Sequence, residues 1–433
     1  MKIKKTSWGR LSNDYHNIFY VHDSNSSKKA IHDFSPGAIY GNGRSYGDVC
    51  LNPNGNLMDT KGLNKFLKFN NKTGVLNCES GLLLKDINNI FVPKGWMLPV
   101  TPGTQLGTVG GAIANDIHGK NHHRYGSFGN HIKNIKLLRT EEGIINCNID
   151  NNKNLFSATI GGLGLTGLIL SAEIQLRKVP GPFIKLENIA YENLDEFFKI
   201  SSESEQDWEH VVSWLDCTSS KLGRGILTRG NFINSSKAKY SKKFEITFPF
   251  QPPVSLVNKT SLNVFNKTYF RFKKFLSGSS IQHYEKFLYP LDNILDWNKM
   301  YGPKGFYQYQ SVIPKEHSVD ATKEMLNKIK LSGEGSFLAV LKTFSNMKSL
   351  GMLSFPMEGV TLALDFPNKG EKTMKLFNEL NKIVKESSGR IYMAKDATMS
   401  KDLFESGYKN YHNFVGFIDP GISSSMSRRL FKR

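Results

Sequence analysis

The chain has 433 residues, 39% of them hydrophobic, and 57 lysines and arginines against 38 acidic residues give a formal charge of +19. With a mean hydropathy of -0.37 and no run near the ~20 apolar residues of a bilayer span, this describes a soluble globular protein too long for one ordinary core. Four cysteines at 50, 78, 147 and 217 show no paired or metal-ligand spacing, so they read as reduced and structural, and a metal site is not expected.

The opening Met1-Lys-Ile-Lys-Lys5 leads into Thr6-Ser-Trp-Gly9 rather than an apolar signal core, which places the protein in the cytoplasm. Its basic excess attracts polyanions, but the lysines are spread along the chain without nucleic-acid motifs, so no nucleic-acid partner is expected.

In chain order, the first strong signal is Tyr40-Gly-Asn-Gly-Arg-Ser-Tyr-Gly-Asp48. The second, Thr101-Pro-Gly-Thr-Gln-Leu-Gly-Thr-Val-Gly-Gly-Ala-Ile-Ala-Asn-Asp-Ile-His-Gly119, follows about sixty residues later. Residues without a Cβ beside small hydroxyls let backbone N–H groups approach an anion, and a diphosphate cofactor is the natural guest. A nicotinamide-binding Rossmann turn would open a helix after its glycines. Here Gly43 is followed by the turn-rich Arg44-Ser-Tyr-Gly-Asp48 and then Val49-Cys-Leu-Asn-Pro53, which does not propagate one. The pair Gly110-Gly111 instead predicts a tight entry into a short helix whose free N–H groups hold phosphate oxygens. One glycine pair alone would read as a hairpin or a helix cap. A third cluster, Ile160-Gly-Gly-Leu-Gly-Leu-Thr-Gly167, turns the reading toward a cofactor site.

Short β-rich runs at 74–78, 132–138 and 168–176 alternate with these turns, an α+β pattern. Pro180-Gly-Pro182 marks a boundary. Beyond it, strands at 210–215 and 360–366 mix with helical segments at 316–332 and 370–387. The last of these puts Leu376, Phe377, Leu380, Ile383 and Val384 on one helix face. Between them, 237–275 interleaves basic and aromatic residues around Pro252-Pro253, which suits either a peripheral contact with the inner face of a membrane or a solvated loop over a strand edge.

A family resemblance is carried by Trp8-Gly-Arg10, Gly43-Arg-Ser-Tyr-Gly-Asp48, Asp116-Ile-His-Gly-Lys-Asn-His-His123, Gly126-Ser-Phe-Gly-Asn-His131, Lys221-Leu-Gly-Arg224, Tyr301-Gly-Pro303, Gln308-Tyr-Gln310, Leu353-Ser-Phe-Pro356, Asp365-Phe-Pro367, Ala394-Lys-Asp396 and Arg428-Arg-Leu430. In this order they span nearly the whole chain. The sequence resembles the vanillyl-alcohol-oxidase-type (PCMH-type) FAD oxidoreductases, and within them the decaprenylphosphoryl-β-D-ribose epimerase flavoprotein family. The resemblance implies a two-subdomain FAD-binding domain over 1–180, completed by 391–433, and a substrate domain over 181–390 built on an antiparallel sheet with flanking helices.

It further implies a cofactor pocket of Tyr40, Gly41, Asn42, Gly43, Arg44, Ser45, Tyr46, Gly103, Thr108, Val109, Gly110, Gly111, Asn115, Asp116, Ile117, His118, Ile169 and Tyr392. Many relatives attach FAD through a histidine in G-x-G-H-S. Arg44 holds that slot here and cannot form the bond, so FAD is expected to be noncovalent. Lys395 matches the family's essential lysine, expected to stabilise charge on the reduced flavin. His118, Tyr46 and Lys395 are all chemically able to act as the general base. Gly119, Lys120, Trp214, Gln310, Lys342 and Ala363 match the substrate pocket, with Lys342 as a phosphate partner.

Several positions depart from the family. Ala363 stands where mycobacterial members carry cysteine, Ala339 replaces a pocket asparagine, Leu288 a tyrosine, and Ser424-Ser425-Met426 departs from the usual Ser-Asp. The expected activity is oxidation of a secondary hydroxyl (C2) of a polyprenyl-phosphate-linked pentofuranose to a keto sugar. A short-chain NAD(P)H-dependent reductase would complete the epimerisation. An aldonolactone or alditol oxidase acting on free polyols is the alternative, disfavoured by Arg44, and a non-catalytic flavin- or lipid-binding protein is a further one, disfavoured by Lys395, Gln310 and Lys342.

Overall fold

The computed structural model describes residues 2–219, 221–235 and 245–432. Three principal sheets organise it. A four-stranded sheet runs Lys2–Lys4, Tyr15–Tyr20, Asn56–Asp59, Gly37–Tyr40, its last three strands parallel. A five-stranded antiparallel sheet runs Phe66–Asn70, Val75–Glu79, Leu168–Gln175, Ile132–Arg139, Gly143–Cys147. The largest has eight strands in the order Gly278–His283, Phe183–Tyr191, Gly225–Ile233, His210–Leu215, Val340–Phe344, Gly359–Pro367, Phe306–Pro314, Arg390–Ile391, all antiparallel. The expected α+β class, with its antiparallel sheet and flanking helices, is what the chain adopts.

The two faces of the large sheet follow from strand alternation. In Gly359–Pro367 the apolar Val360, Leu362, Leu364 and Phe366 are buried in the core. Successive side chains point to opposite faces, so Thr361, Ala363 and Asp365 emerge on the other side. The apolar face is covered by helices Ser318–Ser332 and Glu371–Glu386. The second buries Leu376, Phe377, Leu380, Ile383 and Val384, the stripe its spacing predicted, and Phe377 meets the rings of Tyr307, Tyr309 and Phe366. Each such side chain contributes about 1.5–3 kcal/mol on burial.

The C-terminal segment returns to the first sheet. Gly37 N donates to Gly421 O at 3.0 Å and Ser425 N to Leu51 O at 2.8 Å. Arg429 pairs with both Asp48 and Asp396, at 2.8 and 2.9 Å. A Cβ on Gly47 would stand 1.6 Å from Asp396 O, so only glycine allows this approach. In the basic-aromatic stretch, residues 237–244 lie outside those described, while Lys259–Phe275 is one helix opened by a capping box at Asn258. Among the described residues no helix is long and apolar enough to cross a membrane.

Candidate active site

A cavity of about 600 Å³ lies where the glycine turns meet the large sheet. Its two ends are built differently.

At the glycine end, strand Gly37–Tyr40 runs into a turn through residues 41–45. Gly43 has φ +59, and a Cβ there would meet the Tyr40 hydroxyl at 2.1 Å, so conformation and space both demand glycine. Among the described residues no acceptor takes the N–H groups of Asn42, Gly43, Arg44 or Ser45, and all four residues line the cavity. The Asn42 side chain donates to Leu106 O at 2.8 Å, tying this turn to the second glycine loop. Arg44 stacks its guanidinium over Trp8, 4.3 Å from the ring centroid. In the second loop a Cβ on Gly103 would touch nothing within 4 Å, so the bare backbone faces open cavity.

The short helix predicted at the second glycine run is Val109–Ala114, but its leading N–H groups are not free. Val109 N donates to Leu82 O, Gly110 N to Ser80 O and Gly111 N to Thr108 Oγ1. The expected phosphate-holding role of this helix start is therefore corrected. The unpartnered donors belong to the first turn instead, where no helix follows to consume them.

At the other end the sheet forms a floor. Antiparallel pairing sets Gln308 opposite Asp365 and Gln310 opposite Ala363, while Val340 and Lys342 lie opposite Ala363 and Thr361. Directly paired residues share a face, and these seven line the cavity together. Gln310 Nε2 donates to Thr361 Oγ1 and meets His118 Nε2, each at 3.1 Å. Gln308 Nε2 donates to Asp365 Oδ1 at 2.6 Å, leaving Asp365 Oδ2 buried without a partner among the described residues. Lys342 Nζ donates to Gly119 O at 3.2 Å, and Lys120 Nζ to Phe287 O and, at 3.3 Å, to Leu288 O. Lys395 Nζ stands 3.9 Å from the centroid of the Tyr46 ring, a cation–π contact.

These groups perturb one another. Burial alone brings Lys120 down to about 7. Burial, then the charges of Lys120 and Lys395, brings Lys342 down to about 7. For Lys395, burial lowers it to about 8 against the opposing pull of Asp365. Burial raises Asp365 to about 7, offset partly by Gln308 and Lys395. Burial, then Lys342, His122 and Lys395, holds His118 well below its ordinary range, so its imidazole is neutral at neutral pH. Burial, with Asp365 next, drives the Tyr46 hydroxyl well upward. Three lysines against one carboxylate make this floor an anion-seeking surface.

The structure brings together most of the residues singled out from sequence, and four lie outside the cavity wall. The Tyr40 hydroxyl donates to Thr6 O at 3.0 Å beneath the turn. Val109 is wholly buried in the core under its helix. Asp116 accepts from Gly129 N at 2.8 Å and from Ser354 Oγ, and so fixes the bend leading to His118. The Trp214 indole donates to Phe337 O at 2.8 Å and lies under Tyr269; Val212, two residues back, is the lining side chain of that strand. Ala339 is also in the core and not in the pocket, because it falls on the opposite face from Leu338 and Val340. Sequence reasoning passed over Asp292, Asp365 and Gln308. The last two sat inside quoted motifs, and the pairing of their strands was the missing signal. Asp292 Oδ2 accepts from Gln105 N at 2.8 Å, anchoring the second glycine loop from a distant segment.

The residues at the glycine end fit FAD. Four backbone donors suit a diphosphate, and Asn115 Oδ1, Arg44 Nε and His118 Nδ1 are buried polar atoms that lack partners among the described residues. Residues 28–148 match the FAD binding domain family, and the class so defined is an FAD-dependent oxidoreductase. Similarity over short spans is found to the Delta(24)-sterol reductase of Homo sapiens, 26% identical over 37% of this chain and 30% of that protein, and to the D-lactate dehydrogenase of Anaerostipes hadrus, 27% over 31% and 29%. Similarity of another extent links the chain to decaprenylphosphoryl-β-D-ribose oxidase of Mycolicibacterium smegmatis, 33% identical over 98% of this chain and 96% of that one. The chain belongs to the decaprenylphosphoryl-β-D-ribose oxidase family, and FAD is its cofactor.

Proposed function

We propose that the protein oxidises the C2 hydroxyl of a pentofuranose carried on a polyprenyl phosphate, giving a 2-keto sugar. The observation that carries this reading is the floor of the cavity, where Lys120, Lys342, Lys395 and Gln310 converge beside the glycine end. Bound FAD supplies the two-electron acceptor. Lys342 and Lys120 neutralise the substrate phosphate, and its arrival favours their charged forms. The Gln310 side chain, held by Thr361 and His118, orients the sugar hydroxyls.

A base works best when its proton affinity lies near the working pH. His118 falls far below that range and Tyr46 far above it, whereas Lys395 stands at about 8. Neutral Lys395 Nζ accepts the proton of the C2 hydroxyl, and the Asp365 charge supports the ammonium so formed. In this reading residues 1–180 with 391–433 hold FAD and 181–390 form the substrate domain, with Lys120 and Lys395 reaching the substrate from the FAD-binding part. A keto sugar must be reduced to finish an epimerisation, and a separate short-chain NAD(P)H-dependent reductase fills that role.

Anaerobic mixing tests the reading. Ribose-like sugars on a phospholipid tail should bleach the flavin far faster than free ribose, because contacts remote from C2 fix the reacting hydroxyl. Equal rates, or a preference for free alditols, would favour a polyol oxidase, a substrate class that gives three lysines no anion to meet.

A further inference from the structure

Most of the large apolar side chains left exposed among the described residues fall between Ile246 and Ile294. Their centre is the helix Lys259–Phe275, whose surface divides into three stripes at 100° per residue. Leu262, Asn266 and Phe270 form the buried stripe. Lys267, Arg271 and Lys274 lie along the next, and the helix has no acidic residue. Val264, Phe265, Phe272 and Phe275 make the third, apolar and exposed; Phe272 is 57% and Phe275 86% exposed. Soluble helices carry charges where this one carries phenylalanines.

The apolar stripe borders the cavity. Phe265 packs on Phe337, ring centroids 4.7 Å apart, and the next residue, Leu338, lines the cavity. On the strand Ile246–Thr247, Ile246 is exposed while Thr247 lines the same cavity. That strand pairs with Ile294–Leu295, two further lining residues. Thr247 and Ile294 are themselves exposed, so at this strand pair the cavity lining reaches the surface.

We propose that the helix Lys259–Phe275, with the flanking 246–256 segment, is a docking surface for an anionic lipid bilayer. Its phenylalanines enter the headgroup boundary while Lys267 and Arg271 meet lipid phosphates. A basic stripe beside an aromatic one on a helix too polar to span is the pattern of an interfacial helix. A second copy of the chain fits less well, since an antiparallel two-fold contact on this face would oppose the same basic stripes, and a parallel one would leave both stripes without an acidic partner on the helix. The inference rests on the lipid-linked substrate reading and adds to it the route of delivery: the polyprenyl tail stays in the bilayer and the sugar phosphate enters between Thr247 and Leu338.

The test is co-sedimentation of the FAD-loaded protein with phosphatidylcholine vesicles, with and without phosphatidylglycerol, beside flavin bleaching by a short-chain, water-soluble substrate analogue. Binding is expected only with phosphatidylglycerol, weakening as salt rises. Phe272→Ser together with Phe275→Ser should lower partitioning at least about tenfold, and Lys267→Glu with Arg271→Glu should do so by a similar factor. Both variants should keep their FAD and bleach normally with the soluble analogue, which shows that they fold. Vesicle binding undiminished by either variant, no vesicle binding by the wild type, or a wild-type dimer dispersed by the Phe→Ser pair would overturn the docking surface. If vesicles bind and the soluble analogue fails to bleach the flavin of the wild type, the fault lies with the proposed substrate and not with the surface.

Discussion

In the function proposed above, the two ends of the cavity solve the same problem, holding an anion out of water, by opposite means. At the glycine end the donors are backbone N–H groups of residues 42–45, neutral and indifferent to pH. At the floor they are the side chains of Lys120 and Lys342, buried and each brought down to about 7. A backbone cradle binds a permanent guest, because nothing in it titrates. A lysine floor suits a guest that comes and goes, because each lysine is held at a cost that an arriving phosphate relieves.

The sharpest way to break this contrast is to denature the protein. Arg44 stands over Trp8 and offers no histidyl linkage, so acid or heat should release all the FAD. Flavin fluorescence remaining on the polypeptide in a denaturing gel would refute the noncovalent cradle. Next in size is Lys395→Ala. Its side chain meets the Tyr46 ring and takes no part in the backbone cradle of residues 42–45, so FAD content should stay near normal while substrate-driven bleaching falls on the order of 10²–10⁴-fold. Wild-type turnover in this variant would remove Lys395 from the chemistry.

How much of each end was legible follows from how each is encoded. The cradle is written in contiguous strings, and Gly43 and Gly47 are readable because each meets a constraint that only glycine satisfies. Even so, the string did not reveal that Leu82, Ser80 and Thr108 consume the first N–H groups of Val109–Ala114; two of those acceptors come from a neighbouring loop. Most floor residues entered through the family resemblance, since a lone lysine reads as surface. The alternation in Gly359–Pro367 could have placed Asp365 on the face of Thr361 and Ala363, but only the register opposite Phe306–Pro314 sets it against Gln308. Trp214 misleads for the same reason. It shares a face with Val212, yet Tyr269 from a helix remote in sequence covers it.

A smaller effect separates the roles within the floor. Asp365 opposes the burial that lowers Lys395, so Asp365→Asn should lower the proton affinity of Lys395 further. If neutral Lys395 is the base, bleaching in the wild type rises with pH through about 8, and in Asp365→Asn that rise moves to lower pH. The shift read from a pH–rate profile should be about one pH unit, and Asp365→Glu should restore the wild-type profile. An unmoved profile would show that Asp365 acts only in packing.

The smallest expected effect is on stability, and its sign tells the two ends apart. Lys342 titrates at about 7 in the folded protein against 10.5 for the ordinary side chain. Between those values the unfolded chain binds more protons at this site, so the contribution of Lys342 to stability rises with pH across that window. Lys120 acts in the same direction. Asp365, raised to about 7 from 3.8, works oppositely in a different window, costing stability as pH climbs toward 7. Lys342→Met removes one rising term, so the variant should gain thermal stability relative to the wild type near pH 7, and the gain should shrink as pH approaches 10. Substitutions at the glycine end carry no such slope, because no group there changes protonation between those pH values in this account. Thermal unfolding of Lys342→Met and wild type at several pH values makes the comparison. A constant difference between the two would mean that Lys342 is as well solvated in the fold as in the unfolded chain, and that its place in the floor is not one of strain relieved by an anion.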